Sequence, residues 1–328
     1  MLITQTPLRI SFAGGGTDLE SYYRVAGGAV LSSAIDKYVF VILNKRFDDK
    51  IYISYSKKEI VDSVDEIQHE LVREAMRIAG ITKGVEIAIM ADIPSSGSGL
   101  GSSSSLTVGL LNAFHTYQGR QVTAEQLARE ACEIEIVRCG KPIGKQDQYI
   151  AAYGGLNFFE FRPDGEVTVT PIRLGPAKRH WGACMMLFFT DITRSADAIL
   201  KEQNAKTEEK RDFLDQIKAL AFRAKDAVLA GRFDEIGDIL RENWLLKKEL
   251  ASGITRAEID RMVKASMDGG ATGCKLCGAG GGGFLLTYCP RNDKSRLRKA
   301  MQGYREMPFF LERYGSKVNY NAEGYEWD

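Results

Sequence analysis

Four short stretches carry residue types whose spacing suits an anionic, polar ligand. The first is IPSSGSGLGSSSS at 93–105, between the strand-like run VEIAIM and an amphipathic helix carrying Leu106, Leu110 and Phe114. A strand, glycine loop and helix N-terminus gathers unpaired backbone N–H groups at the positive end of the helix dipole. Gly97, Gly99 and Gly101 let the backbone approach an anion with no Cβ in the way. Phosphate is the natural guest, and Ser102 to Ser105 offer N-caps and hard hydroxyl oxygens for a divalent cation, so a nucleotide with magnesium fits. The stretch lacks the Gly-Lys-Ser/Thr ending of a P-loop and the spacing of a dinucleotide fingerprint. The second stretch is SFAGGGTD at 11–18, close behind Arg9; Asp18 can accept hydrogen bonds from adjacent sugar hydroxyls, and Arg9 offers a planar fork for phosphate or carboxylate.

The third stretch, KLCGAGGGGF at 275–284, has five glycines within 278–283 and cannot form a helix interior; it is expected to close over a substrate or phosphate. Cys274 and Cys277 form a CxxC without a second pair, which leaves a zinc site short of ligands and, away from a helix N-terminus, a redox pair without an activated thiol. The fourth, GKPIGKQD at 140–147, follows the helix-like EQLAREACEIEIVR. Asp147 there, with Lys145 nearby, can take or polarise a hydroxyl proton, while Glu133 and Glu135 can offer a carboxylate to a metal. Taken singly, each stretch also fits a bland reading: a Gly/Ser loop before a capped helix, a tight turn with a solvated aspartate, or a helix-capping Asp147.

The elements that must position these residues follow from periodicity. Runs 38–44, 50–55 and 85–90 are rich in β-branched and aromatic residues and read as strands of one sheet, while 65–78 and 103–117 repeat apolar residues at three and four. Strand signals return between 149 and 170. From 194 to 250 the pattern gives two long amphipathic helices broken at Gly231, with Phe213, Ile217, Leu220 and Ala224 on the first face and Phe233, Ile236, Leu240 and Trp244 on the second. The charged run AKTEEKRD at 205–212 reads as a solvated helix face. The change of pattern places a domain boundary near 175, giving domains 1–175 and 176–328 and a cleft between them.

Composition limits the function classes. The chain has 328 residues, 44% hydrophobic and 27% charged, with 44 basic against 43 acidic side chains and three histidines. A net charge of +1 with no basic arm argues against a nucleic-acid binder. No apolar window is long enough for a membrane helix, the start lacks a signal-peptide layout, and six scattered cysteines do not resemble a secreted disulfide framework. A cytoplasmic protein with reduced thiols is expected, acting on small molecules with neither nucleic acid nor membrane as partner; a homodimer is compatible with this.

In order, the stretches resemble the motif set of the GHMP small-molecule kinases over essentially the whole chain. PSSGSGLGSS at 94–103 is similar to that family's nucleotide motif, the late glycine loop to its third motif, and Arg9 and Asp18 keep the spacing of the galactokinase first motif, with Gly14, Gly15 and Gly16 where Gly-Glu-His is usual. The text PLRISFAGGGTDL, GKQDQYIAAYGG and KLCGAGGGGF is most similar to the branch of heptose 7-phosphate kinases and the kinase part of L-fucokinases, which phosphorylate the anomeric hydroxyl. The resemblance implies an α+β, two-domain fold: an N-terminal α/β nucleotide-binding domain, a C-terminal ferredoxin-like domain and the active site between them.

It also implies ATP and Mg²⁺ as cofactors and a sugar or sugar phosphate as substrate. Asp147 and Arg9 would be catalytic. Pro94, Gly97, Gly99, Leu100, Gly101, Ser102, Ser103 and Ser104 would bind nucleotide, Thr17, Asp18, Gly15, Gly16, Gly280 and Gly281 the sugar, and Ser103 and Glu135 the metal. Replacement of Gly-Glu-His by glycines, with Arg9, Lys37 and Arg138 near the site segments, leads us to expect a phosphorylated sugar over a fucose- or mannose-type acceptor. Outside this class stand a sugar- and nucleotide-binding sensor without turnover, against which Asp147 and Ser103 argue, and a decarboxylase of isoprenoid diphosphates.

Overall fold

The computed structural model describes residues 1–94, 97–192 and 196–322. The first half runs β1 (Leu2–Ala13), α1 (Glu20–Ala26), β2 (Gly28–Lys45), β3 (Ile51–Ser54), β4 (Lys58–Val61), α2 (Glu70–Ala79), β5 (Val85–Ala91), α3 (Ser102–Tyr117), α4 (Ala124–Cys132), α5 (Gln146–Tyr153), β6 (Leu156–Phe161) and β7 (Val167–Pro171). The second runs α6 (Ala177–Gly182), β8 (Met185–Phe189), α7 (Asp197–Ala205), α8 (Arg211–Leu229), α9 (Glu235–Lys248), α10 (Ala257–Asp268), β9 (Gly273–Leu276), β10 (Phe284–Tyr288), α11 (Lys294–Ala300), β11 (Glu306–Met307) and β12 (Lys317–Asn321).

An eight-stranded sheet follows the order β12-β1-β2-β5-β3-β4, with β6 on the early part of β2 and β7 on β6; only the β3–β5 pair is parallel. The second sheet, β11-β8-β10-β9, is antiparallel and takes the strand order of a ferredoxin-like domain. β12 lies past the second sheet in sequence yet pairs with β1, so 317–321 return to the sheet of the first half. Among the described residues no helix is long and apolar enough to cross a membrane.

From Thr6 to Ala13 every residue of β1 is buried, because α3 covers one side of the strand and α8 and α9 the other. Apolar side chains of β1 and β2 (Leu8, Ile10, Phe12, Leu31) share one core with Trp181, Leu187, Leu240, Phe284 and Leu286 from the second half. That shared core fixes the two sheets against one another and holds their junction, where the glycine stretches meet.

Three local expectations change. The helix expected over 65–78 is a 3₁₀ turn at Val64–Glu66 followed by α2, because the Glu59 carboxylate accepts the amides of Gln68 (2.7 Å) and His69 (3.1 Å) and holds the chain out of the helix there. Between 196 and 250 there are three helices where two were expected, α7, α8 and α9; the expected start at Arg194 lies outside the described residues. The run at 205–212 spans the turn between α7 and α8 rather than one solvated helix face, and Thr207 inside it is buried, its hydroxyl bonded to Gln203 O (3.1 Å).

Phe12 has no exposed surface and its ring centre lies 5.0 Å from that of Trp181. Phe12→Ala should lower stability by about 3–5 kcal/mol, read as a reduced urea midpoint at unchanged m.

Candidate active site

Arg9 of β1 is 4% exposed and spends its fork on Asp147, with Nε to Oδ1 at 2.7 Å and Nη2 to Oδ2 at 2.6 Å; Nη1 donates to Gly99 O at 2.6 Å. Its backbone N–H donates to Leu100 O. One strand residue thus ties the nucleotide loop to the first turn of α5. Gly97, Gly99 and Gly101 all hold left-handed φ angles (+73°, +72° and +78°), and a Cβ on Gly101 would lie 3.3 Å from both Arg9 Cγ and Asp147 Oδ2. The serines are therefore not caps as expected: Gly101 takes the N-cap and Ser102 to Ser105 fill the first helical turn. The helical ladder opens with Ser105 N to Gly101 O, so the preceding amides of the first turn have no intrahelical partner and could receive an anion. Pro94 lies exposed at the start of this loop.

Ser103, exposed at the head of α3, donates to Glu135 Oε1 at 2.5 Å, and Gln148 Nε2 donates to Oε2 at 2.6 Å. Glu135 lies in a π-helical turn, Glu133–Arg138, of the kind that often marks functional sites. The turn points Glu135 inward at 1% exposure and leaves Glu133 to bind Arg138. Burial pushes the Glu135 carboxyl up to about 6, against the pull of its serine and Gln148 hydrogen bonds. Among the described residues no group of three metal-ligating side chains exists. Two hard oxygens from Ser103 and Glu135 fit Mg²⁺, which typically takes one or two protein oxygens together with phosphates and water.

The first glycine turn is built around Asp18, 3% exposed, which accepts from Gly16 N (3.0 Å), Gln146 N (3.2 Å) and Gln146 Nε2 (3.4 Å). Burial, and then the charge of Asp147, raise its pKa. A Cβ on Gly144 would fall 2.0 Å from Asp18 Oδ2, so the fourth stretch can pass only as glycine. Gly15 faces Gln146 and the Ser11 hydroxyl, and Gly16 faces Gln203 of α7. The Thr17 hydroxyl departs from expectation: it donates toward Gly14 O and Ala29 O and accepts from Ala29 N, which staples the turn and leaves nothing for a sugar.

The late glycine loop also divides its work. Gly278 and Gly283 press on the nucleotide loop, where added Cβ atoms would fall 2.6 Å from Gly99 Cα and 2.4 Å from Ser98 O. Gly280 and Gly281, expected at the sugar, pack on Ile254 instead, with Gly281 N donating to Ile254 O at 2.8 Å. All six cysteines are free thiols.

The three cations expected to meet a substrate phosphate are engaged elsewhere: Arg9 with Asp147, Lys37 with Asp36 (3.4 Å), and Arg138 with Glu133 (2.6 Å) and Glu74 (3.6 Å). Lys145 turns away from Asp147 to Gly165 O and the Tyr23 ring. Two buried lysines that sequence reasoning does not single out stand near the centre. Lys275 donates to Ser11 O (3.1 Å) and Phe12 O (3.5 Å), and Lys247 to Gly278 O. Burial lowers them to about 7 and about 8. Lys247 falls on the same helical stripe as Ile236, Leu240 and Trp244, the one charge on an apolar face and the signal that could have found it.

Residues 58–155 match the GHMP kinases N terminal domain and 224–305 the GHMP kinases C terminal. The chain is 34% identical to the D-glycero-alpha-D-manno-heptose 7-phosphate kinase of Campylobacter jejuni, over 92% of this chain and 94% of that one. The chain belongs to the GHMP kinases. A solved D-glycero-D-manno-heptose 1-phosphate kinase of Bacteroides thetaiotaomicron superposes with a TM-score of 0.83 at 25% identity, covering 98% of this chain and all 100% of that one. A sugar kinase structure from Campylobacter jejuni gives 0.79 at 31%, covering 97% of each. The glycine loops of the two halves touch directly, Gly278 and Gly283 lying against Gly99 and Ser98.

Glu135 supports a stability test. Its folded pKa lies above the unfolded value, so its contribution is full at pH below the unfolded value and is lost as pH rises through about 6. Above that pH the buried carboxylate costs on the order of 2 kcal/mol. Metal-free Glu135→Gln should therefore melt higher than the wild type at pH 7.5, with the gap closing toward pH 5, as scanning calorimetry would record.

Proposed function

We propose that the protein is an ATP-dependent sugar 1-kinase that transfers the γ-phosphoryl group to the anomeric hydroxyl of D-glycero-D-manno-heptose 7-phosphate, giving the 1,7-bisphosphate, in the cytoplasm. The observation that carries the reading is the Arg9–Asp147 fork set against Gly99 and Gly101 at the head of α3. This arrangement supports a role for the carboxylate at an acceptor hydroxyl next to a phosphate held by loop amides. Support for the sugar comes from the relative 34% identical over nearly the full length of both chains.

The roles follow from positioning and charge, which dominate phosphoryl transfer. Amides of Gly97 to Ser104 hold the triphosphate. Ser103 and Glu135 would hold Mg²⁺, which when bound neutralises charge on the phosphates. Asp147, each oxygen keeping a lone pair beyond its bond to Arg9, takes or polarises the 1-hydroxyl proton. Asp18, with Gly15 and Gly16, accepts from other sugar hydroxyls. Asp147→Asn should lower kcat by about 100-fold or more with ATP affinity within about threefold, measured by ADP release and by calorimetric nucleotide titration. An unchanged kcat would remove Asp147 from the chemistry.

A second reading, an unphosphorylated sugar such as fucose or mannose as acceptor, is favoured by one observation: Arg9, Lys37 and Arg138 already carry carboxylate partners. The two readings separate in a kcat/KM comparison of heptose 7-phosphate, heptose, mannose and fucose, with the product's phosphate located by NMR. The first expects heptose 7-phosphate to exceed heptose by about 100-fold or more, the worth of a phosphate with charge-assisted partners. Equal values decide for the second.

A further inference from the structure

Lys247, the penultimate residue of α9, is 6% exposed and donates from Nζ to Gly278 O. Gly278, at φ +66°, presses on Gly99 so closely that neither can carry a side chain: a Cβ on Gly99 would lie 2.5 Å from Cys277 O. Gly99 O in turn accepts from Arg9 Nη1, and Arg9 grips Asp147. A continuous chain therefore runs from α9 through both glycine loops to the carboxylate. The kinase reading makes no use of its first member.

We propose that Lys247 is a positioning residue for phosphoryl transfer, its ammonium clamping the late glycine loop onto the nucleotide loop and so fixing the Gly99 carbonyl that holds Arg9 on Asp147. The inference rests on the kinase reading. Glycine loops lose much conformational freedom when ordered, and a charge-assisted bond to a carbonyl is the means this site uses to order one. The groups facing Lys247 are Arg9 from β1, Asp18 from the first glycine turn, Asp147 from α5, and Lys275 and Cys277 from β9 and the residue after it. Burial lowers Lys247 to about 8, with Arg9 adding to the shift and Cys277, Asp18 and Asp147 opposing it. The clamp is thus charged at neutral pH and loses its charge as pH rises through about 8, which gives kcat an alkaline limb.

The test compares pH profiles of kcat and KM for the wild type, Lys247→Met and Lys247→Arg, by ADP release with ATP, Mg²⁺ and heptose 7-phosphate. Lys247→Met is expected to lose about tenfold or more in kcat at pH 7 with both KM values within about threefold, and to lack the limb. Lys247→Arg, charged at every working pH, should recover most of kcat and carry the limb upward by about one pH unit or more. Wild-type kcat in Lys247→Met, or a limb that stays in place in Lys247→Arg because Lys275 or another group governs it, overturns the role. Should Lys247→Met fail to fold, the Lys247→Arg profile alone decides. A wild type that releases no ADP with any sugar overturns the kinase reading, and this role falls with it.

Discussion

The ion pair between Arg9 and Asp147 is the constraint on which the rest of the site depends. Both groups are withdrawn from water, the guanidinium side chain to 5% exposure and the carboxylate to 22%. Leaving either unpaired in such surroundings costs several kcal/mol, so the strand and the helix that carry them must keep their distance fixed. Arg9 sits on β1 inside a core shared by both sheets; Asp147 sits on α5, which packs against α3, β1 and β2. Adjacent residues of α5 extend the arrangement. Gln146 holds Asp18, Asp147 holds Arg9 and Gln148 holds Glu135, so one helical turn distributes three neighbouring side chains to three separate partners around the junction. Successive side chains on a helix point about 100° apart, which is what allows three separate targets.

The second requirement is contact of backbone with backbone. Gly99 against Cys277, and Gly144 against Asp18, approach at separations that a single methyl group would break. The late loop of the second sheet can therefore touch the nucleotide loop of the first, and the carboxylate of Asp18 can lie directly on the chain that leads to Asp147. Side chains then only complete what the main chain has shaped.

Much of this arrangement is legible in the amino-acid sequence. The glycine stretches, their order, Arg9, Asp18, Glu135 and Asp147 stand out because their types are conspicuous in a chain of ordinary composition, and the fold gathers them at one junction. The strands at 38–44 and 85–90 declare themselves by β-branched and aromatic composition, with buried and less buried residues alternating along much of their length. β1 is less plain: Leu8, Ile10 and Phe12 alternate with Arg9 and Ser11 as in a strand with one solvated face, yet the tertiary fold buries both faces from Thr6 to Ala13. Thr17 and the serines of α3 invite assignment to ligands because they carry hydroxyls, yet Thr17 and Ser105 serve the backbone, Ser105 donating to Pro7 O at 2.7 Å. Lys247 and Lys275 do not stand out because a lysine is ordinarily a surface residue, and only its place on an apolar stripe or in a buried strand marks it otherwise.

On the proposed reading, the charges of the junction also favour a cation beside the phosphates. Arg9 and Lys247 face Asp18 and Asp147, with Lys275 beside Lys247 and Arg9: three positive groups against two negative, and Glu135 makes the count even when ionised. Burial moves Asp18 and Glu135 up and the two lysines down, each toward its neutral form. A triphosphate entering alone would draw the lysines back toward their charged forms and drive Asp18 and Glu135 further toward protonation, since nearby charge of the same sign disfavours ionisation. On the proposed reading, a divalent cation held by Ser103 and Glu135 would reverse that for Glu135. It would turn a carboxylate that destabilises the free protein near neutral pH into a favourable ligand, so that nucleotide and metal would bind with mutual help.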